Sequence, residues 1–462
     1  MSFDYSTSAH MIFQSVSELD NNLSDVVTMS DEDISIKDEG KLKEYGIDYL
    51  VYTAVLSEDA QVRHLCRVYI RKLAKKFGIF SASIYPLYEA FGKGEVKGFT
   101  VPAMNMREGI TYDVARVIFK KALEHDTASF IFEIARSETI YTKQTQDDIA
   151  VCVFAAAIKE GYVGPVFLQG DHYQFDAKKF KEYPQGQIDE IQLAAKDALT
   201  AGFYNIDIDA STLVDLSLPT KAEQQKDNYE MTALLTKFIR SMQPAGVTAT
   251  IGGEIGHIGD VNSDVEDFEA FMEGYLEKVG DAKIISKVSV QTGTSHGGIP
   301  NPDGSIKEVD VDLNVLKSIG EVARTKYGLA GPVQHGASTL PNEMFDKFPE
   351  VGTVEIHLAS GFLNIVYKTL PDALRERMYD YLRQNFSEEK VEGWTDEQFI
   401  YKTRKKAIGP FNKELWLISE PEKEVIRKAL AEELEILFQK LNISGTAHTV
   451  RQYIGENDNL HR

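Results

Sequence analysis

From Lys97 onward, eight short apolar runs alternate with amphipathic segments, and few folds accept that order. The runs cover residues 99–105, 128–135, 165–172, 203–211, 246–256, 286–296, 331–338 and 353–360. Helical periodicity fills most of the gaps, at 109–125, 144–161, 187–200, 228–243, 265–279 and 311–326, while the seventh connection, 341–348, is short. Strands alternating with helices predict βαβ units and a parallel sheet. Eight such units over roughly 270 residues match a closed (β/α)8 TIM barrel of about 250 residues better than an open doubly wound sheet. No Gly-x-Gly-x-x-Gly follows the first run, which removes the main reason to expect a dinucleotide fold.

The flanks read differently. Residues 1–96 predict a helical N-terminal extension, 97–370 the barrel, and 371–462 a helical C-terminal extension. The clearest helix of the first section spans 59–77, with Arg63, Arg67, Arg71 and Lys72 expected on a solvated side. Near the C-terminus, Val425, Ile426, Leu430, Leu434, Ile436 and Leu437 form a stripe suited to core packing or a subunit contact. A net charge of −21 argues against nucleic acid, which demands lysines and arginines for its phosphates. Two cysteines, Cys66 and Cys152, cannot make a disulfide framework, and Cys152 reads as a small core residue. The N-terminal residues lack a basic region followed by an apolar one, and no apolar run approaches the ~18 to 20 residues of a membrane helix. A soluble, cytoplasmic protein without a membrane partner is expected.

In a barrel of this kind, chemistry gathers at the C-terminal ends of the strands. The third run ends in Asp171-His172, whose adjacent side chains diverge unless the strand is already ending there. Of ten histidines, five fall at strand ends: His172, His257, His296, His335 and His357. His172, His296 and His335, on strands three, six and seven, could converge, and three imidazoles with one open position are a usual catalytic zinc arrangement. Each of them singly reads equally well as a supporting or loop histidine. Gly297-Gly298, Gly336-Ala-Ser338 and Ser360-Gly361 can offer N–H groups and hydroxyls to an anion, or can be plain turns. A Schiff-base enzyme would need a lysine at a strand's C-terminal end, whereas Lys287 begins strand six. The His-x-His expected on strand one of an amidohydrolase is absent, and Asn105 stands there instead.

The order Asp171-His172, Asp209-Ala-Ser211, Gly253-Glu254-Ile-Gly256, Gly293-Thr-Ser-His296-Gly297 and His335-Gly-Ala-Ser338 resembles the class II, metal-dependent fructose-bisphosphate and tagatose-bisphosphate aldolase family. Val101-Pro-Ala-Met-Asn105 and Ser137 are similar to its strand-one Asn and strand-two Ser. The resemblance implies His172, His296 and His335 as ligands of Zn2+ or another divalent metal, with Glu254 able to approach it. Asp171 would be the acid/base at the substrate's C4 hydroxyl, and Asp209 a buried orienter. Asn105 and Ser137 would line the substrate site, while Gly297, Gly336 and Ser338 would hold a phosphate together with Na+ or K+. The second acid/base would come from the loop after strand five, where Asp260 is the candidate.

Strand eight departs from the family's Asn-Ile-Asp-Thr-Asp, reading His357-Leu-Ala359-Ser360-Gly361. His357 is expected to touch substrate in place of the Asn, and Ser360 to keep a phosphate contact. The resemblance thus implies reversible cleavage of a phosphorylated ketose to dihydroxyacetone phosphate and an aldehyde, by a homo-oligomer of two or more chains. Two alternatives stay open: a non-catalytic barrel subunit supporting a partner aldolase, and a metal-dependent aldolase or epimerase on another sugar phosphate. The terminal sections are expected to build an oligomer interface or to cover the site.

Overall fold

The computed structural model describes residues 11–29, 33–256, 261–293, 300–303, 307 and 311–455. Eight strands form the barrel: β1 (Val101–Asn105), β2 (Ile131–Ala135), β3 (Gly164–Gln174), β4 (Asn205–Asp209), β5 (Thr250–Glu254), β6 (Lys287–Val290), β7 (Pro332–Gln334) and β8 (Glu355–Leu358). Every neighbouring pair is parallel, and β8 returns to β1 through Glu355 opposite Val101, so the sheet closes. All five residues of β1, β2, β4 and β5 are buried, as expected of strands covered by helices outside and packed side chains inside.

The helices follow the expected order: Thr111–Glu124, Gln146–Glu160, Pro184–Ala201, Lys226–Met242, Val265–Val279 and Leu313–Tyr327. Their starts are set by local chemistry. Thr145 and Asp264 each accept a hydrogen bond from the third residue of the helix they open, and Asp148 and Asp267 reach back to the cap. The short seventh connection holds only single turns and the five-residue helix Lys347–Val351.

The first section is mostly helical but also carries strands. Val27–Met29 and Ile34–Ile36 form an antiparallel ribbon, and Ile79–Ala82 joins the barrel sheet itself, parallel to residues 164–167 of β3. Asn205, the first residue of β4, splices this extra strand in. Its side chain accepts from Ile84 N at 2.9 Å and donates to the carbonyls of Ala82 and Leu168.

The basic side of helix Ala60–Lys76 is not simply solvated. Arg67 pairs with Asp147 and Asp148, and Arg71 with Asp147 at 2.6 Å, which ties this helix to the one after β2. At the other end, helix Glu420–Lys440 buries Ile426, Leu430, Leu434 and Leu437. Its Lys423 is wholly buried, bonded to Tyr52 and to the carbonyl of Trp416. The terminal sections therefore meet, with Tyr52 edge-on to Trp416 at 5.1 Å. Cys66 and Cys152 are both buried and unpaired.

Candidate metal centre and active site

The Asp171-His172 pair is brought together by an irregularity. Pairing of β3 with β4 shifts register between Gly170 and Tyr173, and His172 adopts a φ of +44°. That left-handed conformation costs a β-carbon-bearing residue on the order of 1–3 kcal/mol and is held only where the surroundings enforce it. It cancels the alternation of a regular strand. Two consecutive side chains thereby face one cavity, with Asp171 Oδ2 3.5 Å from His172 Nε2.

His172, Glu254 and His335 bring ligand atoms within 4.8 Å of one another. His172 Nδ1 lies 3.7 Å and His335 Nδ1 3.8 Å from the two Glu254 oxygens, and the imidazole centroids are 4.6 Å apart. Two imidazoles and a carboxylate are a donor set that suits a divalent metal. Asp209 supports it from β4, with Oδ2 3.2 Å from His172 Nδ1 and Oδ1 accepting from the Ser211 hydroxyl at 2.7 Å. Burial and the charge of Asp209 push the Glu254 carboxyl well above its ordinary value. Burial also acts upward on Asp171, but the imidazoles of His172 and His357 outweigh it and hold this carboxyl well below the usual range. His296, Gly297, His257 and the loop residue Asp260 lie outside the described residues.

Asp171, His172 and His335 line a cavity of about 280 Å3 that also takes in Asn105, Ser137, Gly336, Ser338 and Ser360. Several of these are already engaged. Asn105 donates to Glu138 at 2.6 Å, and the Ser338 hydroxyl accepts from the N–H groups of Ala359 and Ser360 at 3.1 Å each. Gly336 turns the chain after β7 with a φ of +70°, a conformation open to a residue without a β-carbon.

Arg107 and Lys405 join the same cavity, although neither stood out in the sequence. Arg107 reaches Glu138 at 2.7 Å and the Ser360 hydroxyl at 3.0 Å. Lys405 comes from the C-terminal section, which therefore covers part of the mouth. A larger cavity, about 560 Å3, opens among Phe91, Val96, Phe99 and Val351; among the described residues no histidine, aspartate or cysteine lines it.

Below the mouth the barrel axis is polar. Lys287 Nζ lies 2.5 Å from Glu355, 2.8 Å from Asp207 and 2.9 Å from Gln169, and Tyr88 closes the network from below by donating to Glu355. Lys287 is thus an ion-paired cation inside the barrel, and its carboxylate partners raise its pKa against burial, the opposite of what a Schiff-base nucleophile needs. Gly252 makes room for this layer, since a β-carbon there would stand 2.4 Å from Asp207 Oδ1. His357 lines the cavity, yet both its ring nitrogens face carboxylates: Glu355 on one side, Glu133 and Asp171 on the other.

The chain is a closed parallel barrel that carries, at its strand ends, a histidine–carboxylate group able to hold a metal. The family model described as fructose-bisphosphate aldolase class-II matches residues 86–414, and the chain belongs to that family. A search of curated protein sequences finds no significant match. Among solved structures, fructose-bisphosphate aldolase from Campylobacter jejuni is 17% identical, with 80% of this chain and 97% of that one covered and a TM-score of 0.47. The YdjI aldolase from Escherichia coli K12 is 15% identical, over 80% and 100% of the two chains, with a TM-score of 0.47. The fructuronate-tagaturonate epimerase UxaE from Cohnella laeviribosi is 13% identical, over 87% and 89%, with a TM-score of 0.50.

Proposed function

We propose that this protein is a divalent-metal-dependent aldolase, with zinc as the fitting ion, that cleaves a phosphorylated ketose to dihydroxyacetone phosphate and an aldehyde. The observation that carries the reading is the placement of Asp171 against the group formed by His172, Glu254 and His335. Retro-aldol cleavage needs a base at one hydroxyl and a sink for the electrons left on carbon. The two imidazoles, with Glu254 beside them, would hold the metal, which would supply Lewis acidity for that sink. Asp171, 3.5 Å from the His172 ring, takes the proton from the C4 hydroxyl and returns it in the reverse direction. Asp209 holds the His172 ring in position for its ligand role. Arg107, Lys405, Ser360 and the turn at Gly336 and Ser338 give one wall of the cavity its affinity for an anion.

A second reading, epimerisation of a related sugar, uses the same metal and base. It is favoured by Ala359, which lines the cavity at the end of β8 and offers no group to hold a ketose hydroxyl. The resemblance to a structure described as a fructuronate-tagaturonate epimerase suggests which sugars to include. The deciding experiment is elemental analysis of the purified protein, followed by product analysis on fructose bisphosphate, tagatose bisphosphate and their uronate counterparts. Triose products support the first reading and an isomerised sugar the second. Failure of the metal-loaded protein to turn over any of the panel would sink both.

A further inference from the structure

Below the first group the barrel presents another set of converging donor atoms. His357 Nε2 lies 2.7 Å from Glu355 Oε1. That oxygen already accepts from Lys287 at 2.5 Å and from Gln169 at 2.8 Å, so it belongs to an ionised carboxylate and the ring nitrogen is the donor. Nδ1, on the other side of the ring, faces Glu133 Oε2 at 3.1 Å and Asp171 Oδ1 at 3.3 Å.

Neither Nδ1 nor Asp171 Oδ1 makes a hydrogen bond, although their residues are only 5% and 4% exposed. The spacing suits a metal: ligands about 2.0–2.1 Å from a tetrahedral centre stand roughly 3.3 Å apart. A carboxylate on the far ring nitrogen is the support that metal-bound imidazoles use. His335 offers an atom within 4.8 Å of both Asp171 and His357, and it also belongs to the group with His172 and Glu254. The neighbouring trio Asp207, Glu355 and His357 is different, because the Lys287 ammonium already lies between its two carboxylates.

We propose that Glu133, Asp171 and His357 form a second divalent-cation site next to His335, which makes the centre dinuclear. The mixed nitrogen and oxygen donors suit Zn2+, Co2+ or Mn2+. Two adjacent ions can clamp two oxygens of one substrate, which matches a sugar presenting neighbouring carbonyl and hydroxyl groups. The inference goes beyond the aldolase reading and does not depend on turnover.

The test is the metal-to-protein ratio of the full-length chain, stripped with chelator and reloaded with Zn2+ or Co2+. Two ions per chain are expected, and Glu133→Gln and His357→Asn should each lower the ratio to one, with circular dichroism checking the fold. Anomalous scattering from Zn2+-loaded wild-type crystals should place the second ion beside His357 Nδ1, and this decides the matter even if both variants unfold. A single ion in the wild type, or two ions retained in both folded variants, would overturn the site. Two ions without retro-aldol or epimerase turnover would sink the proposed function and leave this site standing.

Discussion

Replacing Asp171 by Asn should lower turnover roughly 10²- to 10⁴-fold, the usual contribution of a positioned base, with an unchanged circular dichroism spectrum. Asp209→Asn should weaken metal binding about 10- to 100-fold in competition with a chelator, because it releases the His172 ring without touching the ligand atoms. Glu108 makes a different prediction. It is fully buried with neither carboxylate oxygen bonded, and burial raises its pKa from 4.5 to about 8. Between those values the folded chain keeps a proton that the unfolded chain has lost. Its contribution to stability is full below pH 4.5 and fades as pH rises through 8. Glu108→Gln should therefore match the wild type in melting temperature near pH 5 and exceed it above pH 8; a difference that stays flat with pH would refute this. At this scale the sequence was partly legible. Asp171, His172, Glu254 and His335 could be singled out by type and position. Arg107 and Lys405 could not, since an arginine after a strand and a lysine in a distant basic stretch carry no sign of where they will meet. The polar axis had a readable signal: Gln169 and Asp171, Asp207 and Asp209, Lys287 and Ser289, Glu355 and His357 recur at every second position of otherwise apolar strands.

Among the elements, β5 depends on a missing side chain. Gly252→Ala would drive a β-carbon into Asp207 and the Lys287 stem, at an expected cost of about 1–3 kcal/mol in denaturant unfolding. Helix Glu420–Lys440 should respond similarly at Lys423. Lys423→Met leaves the Tyr52 hydroxyl and the Trp416 carbonyl without their buried partner, a loss of about 1–3 kcal/mol. All eight barrel strands and six of their helices were readable from periodicity, because strands buried on both faces and helices buried on one leave distinct apolar patterns. The β3 bulge was not, since a left-handed φ at His172 is imposed by tertiary contacts rather than by its residue type. Nor was Ile79–Ala82, whose four residues have no meaning as a strand until β3 lies beside them.

For the molecule as a whole, the metal should act as a stabilising ligand. Stripping it with a chelator is expected to lower the melting temperature by several degrees in calorimetry, and the drop should be much smaller in His335→Ala, which has less to lose. The extra strand Ile79–Ala82 bears on a different matter, the order in which the chain is made. It covers the lower edge of β3, which β4 does not reach, since β4 pairs only from Gln169 onward. Synthesis runs from the N-terminus, so this partner exists before any stave of the barrel. When residues 164–167 emerge, their exposed amides can be covered at once, while β4 to β8 are still to come. The first section would then serve as a guard for the half-made barrel, and a chain begun at residue 97 should leave that edge open to other copies of itself.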